Sequence, residues 1–486
     1  MVSENDNNKS SIDQCDDDDN DKEIRKRTQS LTRKLDLHIL PLLSIIYLNS
    51  YLIRSNISNA KLVDLEDDLR LTSDQYQWAL SIFFFGYVFF EVPSNIVLRR
   101  WQPSKWLSLI HIFLGIVAVC MGAVKNASGL LVCRFLLGTF EAGLFPGIIY
   151  FTSLWYSRKQ QAIRLGLFWS FSALSGAFSG VLAYGISQIS SVKLSKWRLI
   201  FILEGTPTFV LALCCWFLLA DSPEKAKFLN DEERQLEIDR LAKDAGPTKE
   251  HKFSWSQVLS IFIDWKTYIY AIIYITGTIA TQGITLSLPV IINNLGEWTP
   301  VQAQLMTIPP YIGAFFAILI VSYSSDYFME RSLHCSITNL FSLCGFLMLM
   351  LIDQKRVGAL YVGIIFAAIG TYANVSVKIA WFNNNFASLT RRATAAAVIV
   401  SIGTSGGAIA GQIYRANQKP RYFIGHTISF CCVALQTILV IILRFILMII
   451  NCRRKRMNDE QIKQQVENYG GEELVGDHHP NFRYTL

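Results

Sequence analysis

Twelve runs of about twenty largely apolar residues dominate this chain, near 37–58, 78–98, 106–124, 129–153, 164–187, 198–219, 267–290, 303–323, 334–352, 357–380, 393–413 and 424–450. In a helix, about twenty residues rise about 30 Å, the depth of bilayer hydrocarbon. No water reaches that layer, so each run must satisfy its own backbone N–H and C=O groups and reads as helix. The alternating ten-residue pattern of barrel strands is absent. The expected fold is an all-α membrane protein of twelve transmembrane helices. Two six-helix halves, 36–220 and 267–450, would be related by pseudo-two-fold symmetry. Composition agrees: 51% of the 486 residues are hydrophobic and 17% charged, against about a quarter charged in soluble domains.

The charge lies outside these runs. Residues 1–35 carry acids at Asp16–Asp19, then Arg25, Lys26, Arg27, Arg33 and Lys34. They read as a disordered cytoplasmic tail. Residues 221–266 form a charged central loop with a surface helix expected over 230–243, and 451–486 a second cytoplasmic tail. With the N-terminus inside, the inner loops collect Arg99, Arg100, Lys105, Arg158, Lys159, Arg164, Arg331, Arg391, Arg392 and the cluster Arg453–Arg456. Outer loops hold fewer cations, so both termini are expected to be cytoplasmic. A net charge of +7 is explained by these loops, and no nucleic-acid partner is expected. The ten cysteines follow no metal or disulfide spacing, so neither a metal nor a cofactor is expected. The long polar start argues against a cleaved signal peptide.

The halves echo one another. Trp155 precedes Arg164 at the start of the fifth run, and Trp381 precedes Arg391 and Arg392 at the start of the eleventh. Matched placement of this kind marks a duplicated carrier, although interfacial tryptophans and cations also serve as ordinary anchors.

Ionisable side chains within apolar runs cost about 2.5–3.5 kcal/mol on insertion scales and call for an explanation. Arg134 and Glu141 share the fourth run seven residues apart, which places them on one helix face about 10 Å apart. A buried acid able to exchange a proton suits coupling, with a structural ion network as the alternative. Arg54 lies toward the outer end of the first run and would share the depth of Arg134. Two guanidiniums there would bind a carboxylate, unless Arg54 extends to the headgroups. Asn56 and Gln282 are further candidate substrate contacts, and Asn383, Asn384 and Asn385 suit either substrate or interface. Glu91, in the inner half of the second run, is a candidate partner for the basic inner loops in a cytoplasmic gate made of Glu91, Arg99, Arg158, Arg164, Asp326 and Arg331. Lys378, three residues before Trp381, is expected to snorkel.

Ser55-Asn-Ile-Ser-Asn-Ala60, Arg134 to Pro146, Trp197-Arg-Leu-Ile-Phe-Ile-Leu-Glu-Gly205, Ala303 to Pro309, Lys419-Pro-Arg-Tyr422 and His479-Pro-Asn-Phe-Arg-Tyr484 together carry a resemblance. The chain resembles the major facilitator superfamily, and within it the anion:cation symporters of the fungal allantoate and nicotinic acid permease branch. The resemblance implies proton symport of a small organic monocarboxylate by alternating access at the plasma membrane, in a monomeric unit. It implies proton coupling at Glu141 and anion binding at Arg54 and Arg134. Ile53 stands where such relatives carry an aspartate, and Gln160 where they often carry a glutamate. A non-transporting nutrient sensor with a carrier fold is the alternative. No catalytic cluster suggests an enzyme, and no pore loop or charged ring suggests a channel.

Overall fold

A computed structural model describes residues 4–156, 158–189, 194–245, 255–387, 389–468, 477 and 479–486. Among these residues, twelve helical spans are long and apolar enough to cross a bilayer: α1 (Lys26–Lys61), α2 (Ser73–Leu98), α3 (Pro103–Gly122), α4 (Ala127–Trp155), α5 (Ile163–Ser187), α6 (Lys196–Leu218), α7 (Trp265–Asn293), α8 (Pro300–Phe328), α9 (Ser332–Leu351), α10 (Val357–Asn384), α11 (Arg391–Ile413) and α12 (Phe423–Lys455). Each matches one expected run to within a few residues, apart from α1, which begins earlier. Local chemistry starts them. Thr72 and Gln75 form a reciprocal capping box before α2, Asn126 accepts from Gly129 N at 2.8 Å before α4, and Thr299 with Gln302 does the same before α8.

The expected unstructured tail is corrected. The helix containing α1 runs from Glu4 to Lys61 without a break. Within the polar extension Arg27 donates to Glu23 at 2.8 Å, one turn away, a pairing that favours helix. Leu31 and Leu35 are already buried.

The duplicated pattern takes physical form at the end that bears both termini. Arg164 of α5 makes two hydrogen bonds of 2.7 Å to Asp36 of α1. Arg391 of α11 donates to Asp264, at the start of α7, at 3.1 Å. The partners are 128 and 127 residues apart, so the same tie closes each half. Trp155 and Trp381 are both fully buried nearby.

Each half also carries a cap at this end. The helix Asp231–Ala245 lies on the first half, where Glu233 receives Lys34 at 2.6 Å and Arg240 reaches Thr32 at 3.0 Å. The expected surface helix therefore exists and is anchored. The following helix Trp255–Ile263 belongs to the second half, with Arg391 donating to Ser260 at 2.5 Å. The last residues cap the second half rather than hanging free. Asp477 pairs with both Lys266 and Arg391, Trp381 and Asn385 donate to Thr485 O at 2.9 and 3.0 Å, and Arg331 N donates to Leu486 O at 2.6 Å. Buried cations need acids, and the tail supplies one.

Among the described residues, hydrogen bonds joining the halves gather toward the far, distal end. Ser58 donates to Leu286 O at 2.5 Å, Gln77 to Tyr414 O at 3.0 Å and Ser81 to Ala408 O at 2.8 Å. The ion pairs named above at the termini end all stay within one half.

Candidate functional site

The site begins with a broken helix. Span α4 consists of two helical pieces, Ala127–Glu141 and Leu144–Trp155. Pro146 lacks an N–H, and its ring crowds the carbonyl four residues earlier, at Ala142. Glu141 is therefore the last residue of the upper piece. Broken helices inside a membrane persist where protein or water satisfies the freed groups.

Glycine then brings α2 against α4. A Cβ on Gly138 would lie 1.9 Å from Phe83 O, and one on Gly86 would lie 2.3 Å from Phe135 O. Only a backbone without side chains at both points permits this approach. It sets Ala79, Phe83 and Tyr87 of α2 beside the polar face of α4.

On that face Arg134 is fully buried. Its Nε donates to Ala79 O and its Nη1 to Arg54 O, each at 3.1 Å. Arg54 does not extend to the headgroups. It is 7% exposed, and its Nη2 bonds directly to Glu141 Oε1. Arg134 and Glu141 thus share one face, as their spacing predicts, and both turn to α1. Both guanidiniums lie over the Phe83 ring, Arg54 at 4.9 Å and Arg134 at 5.3 Å from its centre, where the ring face attracts cations. Tyr51 and Tyr87 flank Arg54 at 5.0 and 5.4 Å.

Among the described residues, three buried atoms of this cluster have no hydrogen-bond partner: Arg54 Nε, Arg134 Nη2 and Glu141 Oε2. An unmet buried polar atom costs about 1–3 kcal/mol. Two free donors and one free acceptor around a single ion pair suit a visiting carboxylate and a proton.

Asn56 and Gln282 lie near the cluster. Asn56 accepts from Ser179 at 3.2 Å, while its Nδ2 and Gln282 Oε1 lack partners among the described residues. The Ser58 bond to Leu286 O ties α1 to α7. Arg54 and Gln282 each lie four residues, about one turn, below that tie, so they occupy the same level on facing helices.

The expected gate set is not assembled. Arg164 is held by Asp36, and Arg331 by Asp326 at 2.5 Å and Ser325 at 2.9 Å, all within single halves. Glu91 accepts from Ser401 across the halves at 3.1 Å instead of from a basic loop. The side chains of Arg99 and Arg158 lie outside the described residues. Lys378 is 3% exposed and does not snorkel. Gly277 leaves the space it fills, since a Cβ there would lie 2.1 Å from Lys378 Nζ. Asn385 is structural, donating to Tyr270 Oη at 2.7 Å.

Reasoning from charges alone missed a set of buried tyrosines. Tyr47, Tyr51, Tyr87, Tyr274, Tyr311 and Tyr372 are all buried. Tyr311 and Tyr372 stack edge-on at 5.9 Å, and Thr285 meets Tyr372 Oη at 2.7 Å. Their signal was available in the sequence, because a phenol in mid-run needs a partner for its hydroxyl. Glu204 of α6 is also buried, and among the described residues neither carboxyl oxygen has a partner. Among the described residues no cluster of three or more His, Cys, Asp or Glu is placed to hold a metal.

Comparison with known proteins bears on this arrangement. Residues 43–411 match the Major Facilitator Superfamily model. The MFS transporter prlL of a fungal species is 35% identical over 410 residues, covering 82% of this chain and 83% of that protein. An uncharacterized transporter of Schizosaccharomyces pombe is 33% identical over 433 residues, covering 89% and 86%. A crystal structure of a bacterial homolog to the human lysosomal transporter Spinster, inward-facing and unoccupied, superimposes with a TM-score of 0.61 at 14% identity, covering 83% of this chain and 94% of that one. With twelve apolar spans in two tied halves, the chain belongs to the Major Facilitator Superfamily and is a multi-pass membrane transport protein, not an enzyme.

Proposed function

We propose that this transporter imports a small organic monocarboxylate together with protons, as an anion:cation symporter of the allantoate and nicotinic acid permease type. The observation that carries this reading is the direct bond between Arg54 and Glu141. While Glu141 is charged it occupies the guanidinium that a substrate carboxylate needs. A proton on Glu141 releases Arg54, whose planar fork then accepts the substrate. Arg134 is anchored to two backbone carbonyls and keeps its Nη2 without a partner among the described residues. Asn56 and Gln282 offer polar contacts, and the tyrosine-rich walls suit a flat, aromatic acid such as nicotinate. Ile53 carries no charge, so the coupling proton is assigned to Glu141.

The bias of Lys and Arg supports cytoplasmic termini, and a plasma-membrane address in a monomeric unit fits an importer. Uptake of labelled nicotinate, pantothenate and allantoate, with and without a protonophore, tests the substrate class. Glu141→Gln should abolish uphill accumulation while preserving exchange of labelled for unlabelled substrate. Full accumulation by that variant removes the coupling assignment.

A further inference from the structure

Two buried charges of opposite sign, one in each half, have no charged partner among the described residues. Glu91 of α2 is 3% exposed, and Ser401 is its one hydrogen-bond donor among the described residues. Lys378 of α10 is also 3% exposed. Among the described residues it meets no carboxylate and makes no hydrogen bond; its ammonium lies 5.4 Å from the centre of the Tyr274 ring. An ion buried alone costs several kcal/mol, and intramembrane ions are retained where they act.

The two charges share a level. Glu91 lies seven residues from the termini-end limit of α2, and Lys378 six residues from that of α10, which is about 10 and about 9 Å. Tyr274 lies under the Lys378 ammonium, and Gly403, two residues beyond the Ser401 that holds Glu91, packs against its ring. In this structure the halves are bonded at the distal end, and the termini end has no ion pair between halves among the described residues.

We propose that Glu91 and Lys378 form an ion pair across the two halves when the carrier closes at its termini end and opens at the distal end. Rocking of the halves brings the two side chains together past Tyr274. The pair then stabilises the alternate state, and the present state leaves both charges uncompensated. Lys378, rather than a loop cation, is the gate partner of Glu91. This inference rests on alternating access by the two halves, and it is independent of which acid carries the coupling proton.

Hydrogen–deuterium exchange on the purified full chain tests it without any substrate. Glu91→Gln and Lys378→Met should each slow exchange at the distal ends of α2, α7 and α11 and speed it at the termini ends of α2 and α10, with the equilibrium between states moved about tenfold or more. Glu91→Gln/Lys378→Met should move it no further than either single change, because one pair is lost in all three. The exchanged pair Glu91→Lys/Lys378→Glu should return toward the wild-type pattern, and Lys378→Arg, which keeps the charge, should match it. A double variant whose shift equals the sum of the singles overturns the pairing. So does a charge exchange that behaves like the singles, or an unchanged pattern in both singles.

Discussion

The bond between Arg54 and Glu141 sets a pH dependence for substrate binding. Both side chains are buried, so solvent screens them little. Two unit charges about 4 Å apart at an effective dielectric of about 20 attract by about 4 kcal/mol. A substrate carboxylate must displace Glu141 to take Arg54, so ionised Glu141 weakens binding by up to about a thousandfold. Below the titration of Glu141 the affinity should be flat. Above it, Kd should rise up to about tenfold per pH unit over about three units, then level off. In Glu141→Gln the competing charge is gone at every pH, so the curve should be flat and binding at alkaline pH tighter than in the wild type. Calorimetric titration of the purified carrier with nicotinate between pH 5 and 9 measures both curves. A slope that survives in Glu141→Gln, or a flat wild-type curve, refutes the competition.

Three further outcomes follow from the geometry. Gly138→Ala should lower thermal stability by about 1–3 kcal/mol, the usual range for overpacking, and cut transport, because its Cβ meets the Phe83 carbonyl. Gly185→Ala, with nothing within 4 Å, should do neither. Asp477→Asn takes one acid from Lys266 and Arg391 and leaves Asp264 to serve both. Breaking a buried pair costs about 3–5 kcal/mol, and the remaining acid should hold the loss below that, with residues 479–486 becoming open to protease. Hydrogen bonds from Ser195 and Trp197 hold the Asp68 carboxyl below the usual aspartate range. The stability they add is present above the unfolded aspartate pKa and is lost as pH falls through the lower folded value, which exchange at the start of α6 should report as loosening only in strong acid.

The spans were legible because the bilayer leaves a buried backbone few options: the run expected at 164–187 is Ile163–Ser187. Helical spacing also placed Arg134 and Glu141 on one face correctly. What spacing along one helix omits is the rotation of its neighbours. The Arg54–Glu141 bond joins residues 87 apart and depends on how α1 turns against α4, which no spacing within either run contains. Lys378 was misread for the same reason. Its distance from Trp381 gave its depth but not its direction, and the vacancy at Gly277 draws it inward. The tail at 477–486 looked like loose polar sequence because the cations it serves, Lys266 and Arg391, lie far away along the chain. The gate set was chosen by charge and depth alone: Asp326 and Arg331 pair with each other inside the second half, while Arg164 and Glu91 meet Asp36 and Ser401, outside the expected constellation.

The two helices of the central segment hold opposite halves: Asp231–Ala245 is fastened to the first by Lys34 and Thr32, and Trp255–Ile263 to the second by Arg391. Only residues 246–254 run between them. A stretch of that length reaches at most about 30–35 Å. Covalent length alone therefore caps how far the two helices, and with them the halves they are fastened to, can part at the termini end.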